Sequence, residues 1–195
     1  MELIEITVKF TNAVNFEDSR LSKFVKISKK IGCTNVIINE KNRTCFDSMG
    51  NQIILNPQQF TFIANRPQED NVEKIDQTII DDFSEFIELD SKTVAYVRLV
   101  DIERKEYDVY EKSIINSVPH INSEKGIGYR YLIDYRHGLS EFKAEPFIND
   151  KKTWFFETII NYNDFDDINK VKDLIKDSYN MFKENKKVFI ESIES

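Results

Sequence analysis

Glycine and proline are scarce in this chain, 5 and 4 among 195 residues. Flexible linkers, collagen repeats and disordered tails draw heavily on one or both, so none of these is expected. Histidine and cysteine are rarer still, with two of each. A zinc site takes a closely spaced set of such ligands. His120 follows Pro119 with no carboxylate or cysteine at ligand spacing, and His137 sits beside Gly138 at a hairpin turn, so neither a metal nor a cofactor is expected. Cys33 and Cys45 lack the spacing of a redox motif and fit a reduced, cytoplasmic compartment.

Other absences narrow the chemistry. There is no GxxxxGK[ST] and no GxGxxG; Gly126-Ile127-Gly128 precedes a strand and so lacks the helix N-terminus that a phosphate needs. There is no GxSxG elbow and no recognised nucleophilic-cysteine signature, and the sequence nominates no catalytic residue. No run approaches the roughly 18 apolar residues of a membrane helix. The opening MELIEITVKF alternates apolar and polar residues, unlike a secretory signal. Positive charge is in deficit, 27 Lys and Arg against 34 Asp and Glu, for a net charge of −7. Such a field repels phosphate backbones and anionic lipid, so neither nucleic acid nor membrane is expected as a partner.

What is present is globular: 41% hydrophobic and 31% charged residues, enough to build a core without metal or disulfide. Residues 2 to 10 alternate as a strand with one wet face. A helix is expected from about Ser19 to Ile31, capped by Asp18 or Ser19 and stopped by Gly32. Short strands follow in NVIINE, TCF, QIILN and FTFIAN, separated by turn residues, which predicts an antiparallel meander. A helix over Asn71 to Leu89, with Asp70 and Glu73 as a capping box, turns Val72, Ile75, Ile79, Phe83, Phe86 and Ile87 inward and leaves Asp76, Asp81, Asp82, Glu85 and Glu88 outside.

The stretch TVAYVRLVDIER, Thr93 to Arg104, reads as a central strand buried on both faces. After it the order starts again. A short helix ends before Pro119. Strands are then predicted in IGYRYLIDYR, LSEFKAEPFI and TWFFETIINY, with Asn149-Asp150 as a hairpin turn and Pro146 marking an edge or a bulge. A long helix closes the chain, capped by Asp164 or Asp166. Ile168, Val171, Ile175, Tyr179, Phe182, Phe189 and Ile193 form its apolar stripe, with Lys183, Lys186 and Lys187 near its end. The fold class is α+β, an antiparallel sheet with helices packed on one face. Element order alone suggests a β-α-β-β-β-(β)-α unit used twice, residues 1–90 and 91–195, packed as one globular body; a single irregular α+β domain is the competing reading.

The succession NQIILNPQQFTFIANRP, a helix, YVRLVDIE and a late helix containing SYNMF resembles a sporadically distributed bacterial family of uncharacterised proteins. Arg98 and Ile102 keep the pattern of that family's Gly-Leu-Arg-Tyr-Ile-Asn strand. The resemblance implies no reaction, cofactor or catalytic residue. The element order is also similar to that of duplicated saddle proteins of the TATA-binding type, whose DNA-binding underside is basic; the charge here speaks against that function.

The residues nominated for binding are Arg98, Tyr129, Arg130, Tyr131, Asp134, Tyr135 and Arg136. On one strand, Tyr129, Tyr131, Ile133 and Tyr135 share a face and Arg130, Leu132, Asp134 and Arg136 the other. Tyrosine and arginine are the residues that anchor protein interfaces. Arg98, a guanidinium in an apolar strand, calls for a partner, and Asp101 or Asp134 is expected to supply it. The leading expectation is a non-enzymatic interaction module of bacterial or phage origin, of the immunity, antitoxin or anti-defence kind, binding a basic protein through the acidic helix 71–89. The alternatives are a small-molecule sensor or minor enzyme with a pocket between sheet and helices, and a homodimer paired through sheet edges.

Overall fold

The computed structural model describes residues 2–12, 14, 16–67, 72–115, 126–135 and 138–195. Strand β1 (Glu2–Thr11) leads through a 3-10 turn, Asp18–Arg20, into helix α1 (Leu21–Lys30). The meander follows as β2 (Cys33–Ile38), β3 (Arg43–Asp47), β4 (Gln52–Asn56) and β5 (Gln59–Asn65), then helix α2 (Val72–Gln77). The second series is β6 (Val94–Arg104), α3 (Val109–Ile115), β7 (Tyr129–Tyr135), β8 (Gly138–Pro146), β9 (Thr153–Tyr162) and α4 (Val171–Glu194). The strands form one antiparallel sheet in the order β2-β3-β4-β5-β1-β6-β9-β8-β7. From the β1–β6 seam the order runs outward in the same sense on both sides, β5 next to β1 and β9 next to β6. The expected α+β class and antiparallel meander are both present. No described helix is long and apolar enough to cross a membrane.

The period-2 alternation of the strands decides which face is dry. Leu3, Ile6, Val8 and Phe10 on β1, Ala95, Val97 and Leu99 on β6, and Phe60, Phe62 and Ala64 on β5 all point to the helix side and are buried. Two aromatic clusters fill the layer. Phe24 of α1 meets Phe83 and Phe86 edge-on, and Phe83 lies 5.8 Å from Phe60. Under α4, Phe189 meets Trp154 at 5.1 Å and Phe156 at 5.9 Å, again edge to face.

Several expectations are corrected. Strand β6 is not buried on both faces: Tyr96, Arg98 and Ile102 are only half-buried, because the helices pack on one side of the sheet. The helix expected over 71–89 is a single α-helical stretch only to Gln77; it widens to a π-helical turn over Thr78–Phe83 and tightens to a 3-10 turn over Ser84–Phe86. The change of pitch lets Ile79, Phe83, Phe86 and Ile87 all turn inward. Asp76, assigned to the wet side, is buried, and its expected cap Asp70 lies outside the described residues. Neither Asp18 nor Ser19 caps α1; Ser19 Oγ donates to Glu17 instead. Asp167, not Asp164 or Asp166, receives the Asn169 amide at the entry to α4. The β8–β9 connection is longer than a two-residue Asn149-Asp150 turn and is held by the Asp150 carboxylate on Lys152 N and Thr153 Oγ1. Pro146 is not on an edge strand. It is the last residue of β8, paired to Trp154 on β9, and β7 does not reach it because that ladder ends at Ala144, so the missing N–H costs no pairing.

Candidate interaction surface

On the side of the sheet away from the core, charged side chains from five adjacent strands join in one ladder. Arg98 on β6 donates from Nη1 to Glu5 Oε1 on β1 at 2.6 Å and from Nε to Glu157 Oε1 on β9 at 2.5 Å. Glu157 Oε2 accepts from Lys143 on β8 at 2.8 Å, Lys143 reaches Glu141 Oε1 at 3.0 Å, and Glu141 accepts from Arg130 on β7. The partners expected for Arg98 were the wrong ones. Asp101 is an odd number of positions along the strand and faces the core, and Asp134 lies on β7, beyond β9 and β8. Around the ladder stand half-buried apolar side chains, among them Tyr96, Ile102, Phe155 and Ile159. Lys9 lies over the Tyr96 ring at 4.8 Å.

Burial alone would raise the Glu157 carboxyl; Lys143 and Arg98 more than reverse this and hold it below the ordinary glutamate range. Glu141 is lowered in the same way by Arg130 and Lys143 against its own desolvation. A carboxyl depressed in the folded state adds stability above its unfolded pKa and loses it as pH falls through the folded value. Unfolding free energy is therefore expected to be level from neutral pH to about pH 5 and to decline below about pH 4.5, the unfolded glutamate range. Urea titrations should show this, and Glu157→Gln should flatten the acid limb; an unchanged acid limb in that variant would count against the ladder.

The ladder ends at β7, an edge of the sheet. Here Leu132 is 62% exposed and Tyr131 45% exposed, and Leu139 on β8 is exposed beside them. Arg130 and Asp134 share the ladder face with Leu132, whereas Tyr129 and Tyr131 face the helices. Tyr129 is a structural clamp: its hydroxyl donates to the Ser113 carbonyl of α3 at 2.8 Å, and its ring meets Phe189 at 5.4 Å. The side chain of Tyr135, and Arg136, His120 and His137 entirely, lie outside the described residues. Between β7 and α4 runs a groove of about 360 Å³ lined by Tyr131, Ile133, Phe142, Val188 and Phe189, with Glu184, Asn185 and Ser192 at its rim. Arg98 and Arg130 lie on the opposite face of the sheet from this groove, and Trp154 is fully buried in the core.

The acidic helix nominated for a basic partner is largely committed within the chain. Lys30 pairs with Asp82 at 2.6 Å and Lys23 with Glu85, both from α1. Cys33 lies beside Cys45, and burial with that neighbour pushes the Cys33 thiol up to about 12, away from any nucleophilic role at neutral pH. No group of three or more His, Cys, Asp or Glu is placed to hold a metal among the described residues.

Two buried cations escaped the sequence reading. Lys186 of α4 bridges Asp101 at 2.5 Å and Glu103 at 2.6 Å, and Arg43 of β3 is buried with its guanidinium on the carbonyls of Phe16 and Glu17 and over the Phe16 ring. Register could have found the first. Ile175, Tyr179, Phe182, Lys186, Phe189 and Ile193 continue one helical stripe, and Ala95, Val97, Leu99 and Asp101 one strand face. Compared with known proteins, the chain matches no family model, no curated protein and no solved structure.

Proposed function

We propose that this chain is a cytoplasmic, non-enzymatic protein-interaction module of bacterial or phage origin, of the immunity, antitoxin or anti-defence kind, that receives a basic protein on the bare face of its sheet. The observation that carries the reading is the face itself, a broad antiparallel sheet that no helix covers among the described residues. Aromatic side chains and arginine are enriched at interface centres, and Tyr96, Phe155 and Arg98 supply them on this face. Within the ladder Glu5, Arg98, Glu157, Lys143, Glu141 and Arg130 are each neutralised by a neighbour, so docking over them need not strand an unpaired ion. The net charge of −7 steers a cationic partner toward the molecule.

The test is capture by a tagged chain in its own host at low and high salt, repeated with Tyr96→Asp and Phe155→Asp, each checked for an unchanged thermal melt. A basic protein retained at low salt, released at high salt and held at least about tenfold more weakly by both variants is the expected result. A chain that purifies alone at both salts, or variants that capture as well as the parent, would overturn the reading.

A further inference from the structure

We infer that β7 pairs with β7 of a second copy of this chain, joining two sheets edge to edge about a two-fold axis through Leu132. The two edges of the sheet are built differently. The ladder of β2 to β3 slips between Cys33 and Asn35, the kind of irregularity that blunts an edge. Strand β7 has no such guard. Its register with β8 is regular from Tyr129 to Tyr135, it holds no proline and no lysine, and among the described residues it pairs with β8 alone.

The backbone groups on offer can be identified. Tyr135 and Gly138 are paired across only two intervening residues, and a pair that close to the turn must exchange its own hydrogen bonds. By alternation Ile133, Tyr131 and Tyr129 also bond to β8, so Arg130, Leu132 and Asp134 turn their N–H and C=O groups to the open edge. These three form a palindrome. An antiparallel copy centred on Leu132 sets Leu132 against Leu132, Arg130 against Asp134 and Asp134 against Arg130, so each outward residue meets its chemical complement. Asp134 makes no ion pair among the described residues, and Arg130, exposed and held by Glu141, has guanidinium donors to spare. On the other face Tyr131 would lie against Ile133 of the second copy. Directly opposed residues of antiparallel strands point to the same side, so both helix layers fall on one side. Tyr131 and Val188, which is 59% exposed at the groove by α4, would then be covered.

The inference is independent of the bare-face reading. It would set two such faces side by side in one assembly.

Sedimentation equilibrium of the full chain over a wide concentration range should show a dimer. Arg130→Asp and Asp134→Arg each place like charges opposite one another at both ends of the joint, and each should weaken the dimer by at least about tenfold. An equimolar mixture of these two variants should form a heterodimer, and the double variant should recover self-association. A structural effect of either substitution alone would produce neither recovery. Leu132→Pro, which removes an outward N–H and no bond to β8, should sediment as monomer. If a variant melts early, the parent decides the matter: amides of Arg130, Leu132 and Asp134 should gain hydrogen-exchange protection as concentration rises. A parent that stays monomeric, reversals that leave the dimer intact, a mixture that fails to associate, or edge amides protected only on adding another protein would overturn the inference. A monomer that still captures its partner would do so while leaving the proposed function standing.

Discussion

Lys186→Met is expected to cost about 3–5 kcal/mol of folding stability, the usual loss when one member of a buried ion pair is removed. Asp101 on β6 is fully buried and Lys186 nearly so, with the ammonium 2.5 Å from Asp101, 2.6 Å from Glu103 and 5.1 Å from the Phe156 ring centre. Burial raises the Asp101 carboxyl even with Lys186 in place, whereas Glu103, nearer the surface, is desolvated less than Lys105 and Lys186 compensate and is held low. Without the ammonium, Asp101 keeps its desolvation and the repulsion of Glu103 against one backbone hydrogen bond from Ile102. A carboxyl whose folded pKa lies above its unfolded value takes up protons on folding, so the variant should regain stability as pH falls toward the ordinary aspartate range. Asp101→Leu combined with Lys186→Met should recover most of the loss, because the pair is itself expensive to bury. Denaturant unfolding of the two single variants and the double closes the cycle. Additive losses, or a Lys186→Met cost under about 1 kcal/mol, would sink this account.

Gly138→Ala carries the second large expected effect, a loss of about 3 kcal/mol. A β-carbon there would lie 1.6 Å from the Asn161 carbonyl oxygen and 2.8 Å from its carbon, both backbone atoms of β9 that cannot swing aside. Overpacking of this kind forces the strands apart at the start of β8. In a chain of this size the melting temperature should fall by roughly 6–12 °C. Gly32→Ala is the control. It has open space around the new carbon but a φ of +85°, so it tests left-handed strain alone and should cost about 1 kcal/mol. Equal effects at the two glycines would mean that crowding at Gly138 is relieved by backbone movement.

Signals local in sequence were legible and those set by a distant partner were not. Alternation in β1 and in β3 to β5, the Gly32 stop, and the stripe of α4 each depend on neighbours a few residues away, and all are where periodicity placed them. The partners of Arg98 come from β1 and β9, and sequence spacing says nothing of which strands become neighbours. Treating lysines near a helix end as dipole complements hid Lys186, whose place on the apolar stripe is the stronger fact. Of the nominated binding residues, Arg98 and Arg130 share one ladder, Asp134 stands on the same face at the edge, and Tyr129 proves to be a packing residue.

The position of β1 bears on how the chain leaves the ribosome. Strand β1 precedes the other described strands in the chain and is the middle of the finished sheet, with β5 on one side and β6 on the other. At roughly 5–20 residues per second, β5 emerges seconds ahead of β6. During that interval the meander can close on β1, whose other backbone edge is left unpaired alongside Leu3, Ile6, Val8 and Phe10 before the seam is sealed. The nascent protein thus passes through a stage in which its future centre is its rim, and holdase binding or premature self-association would act there, before the β7 edge exists.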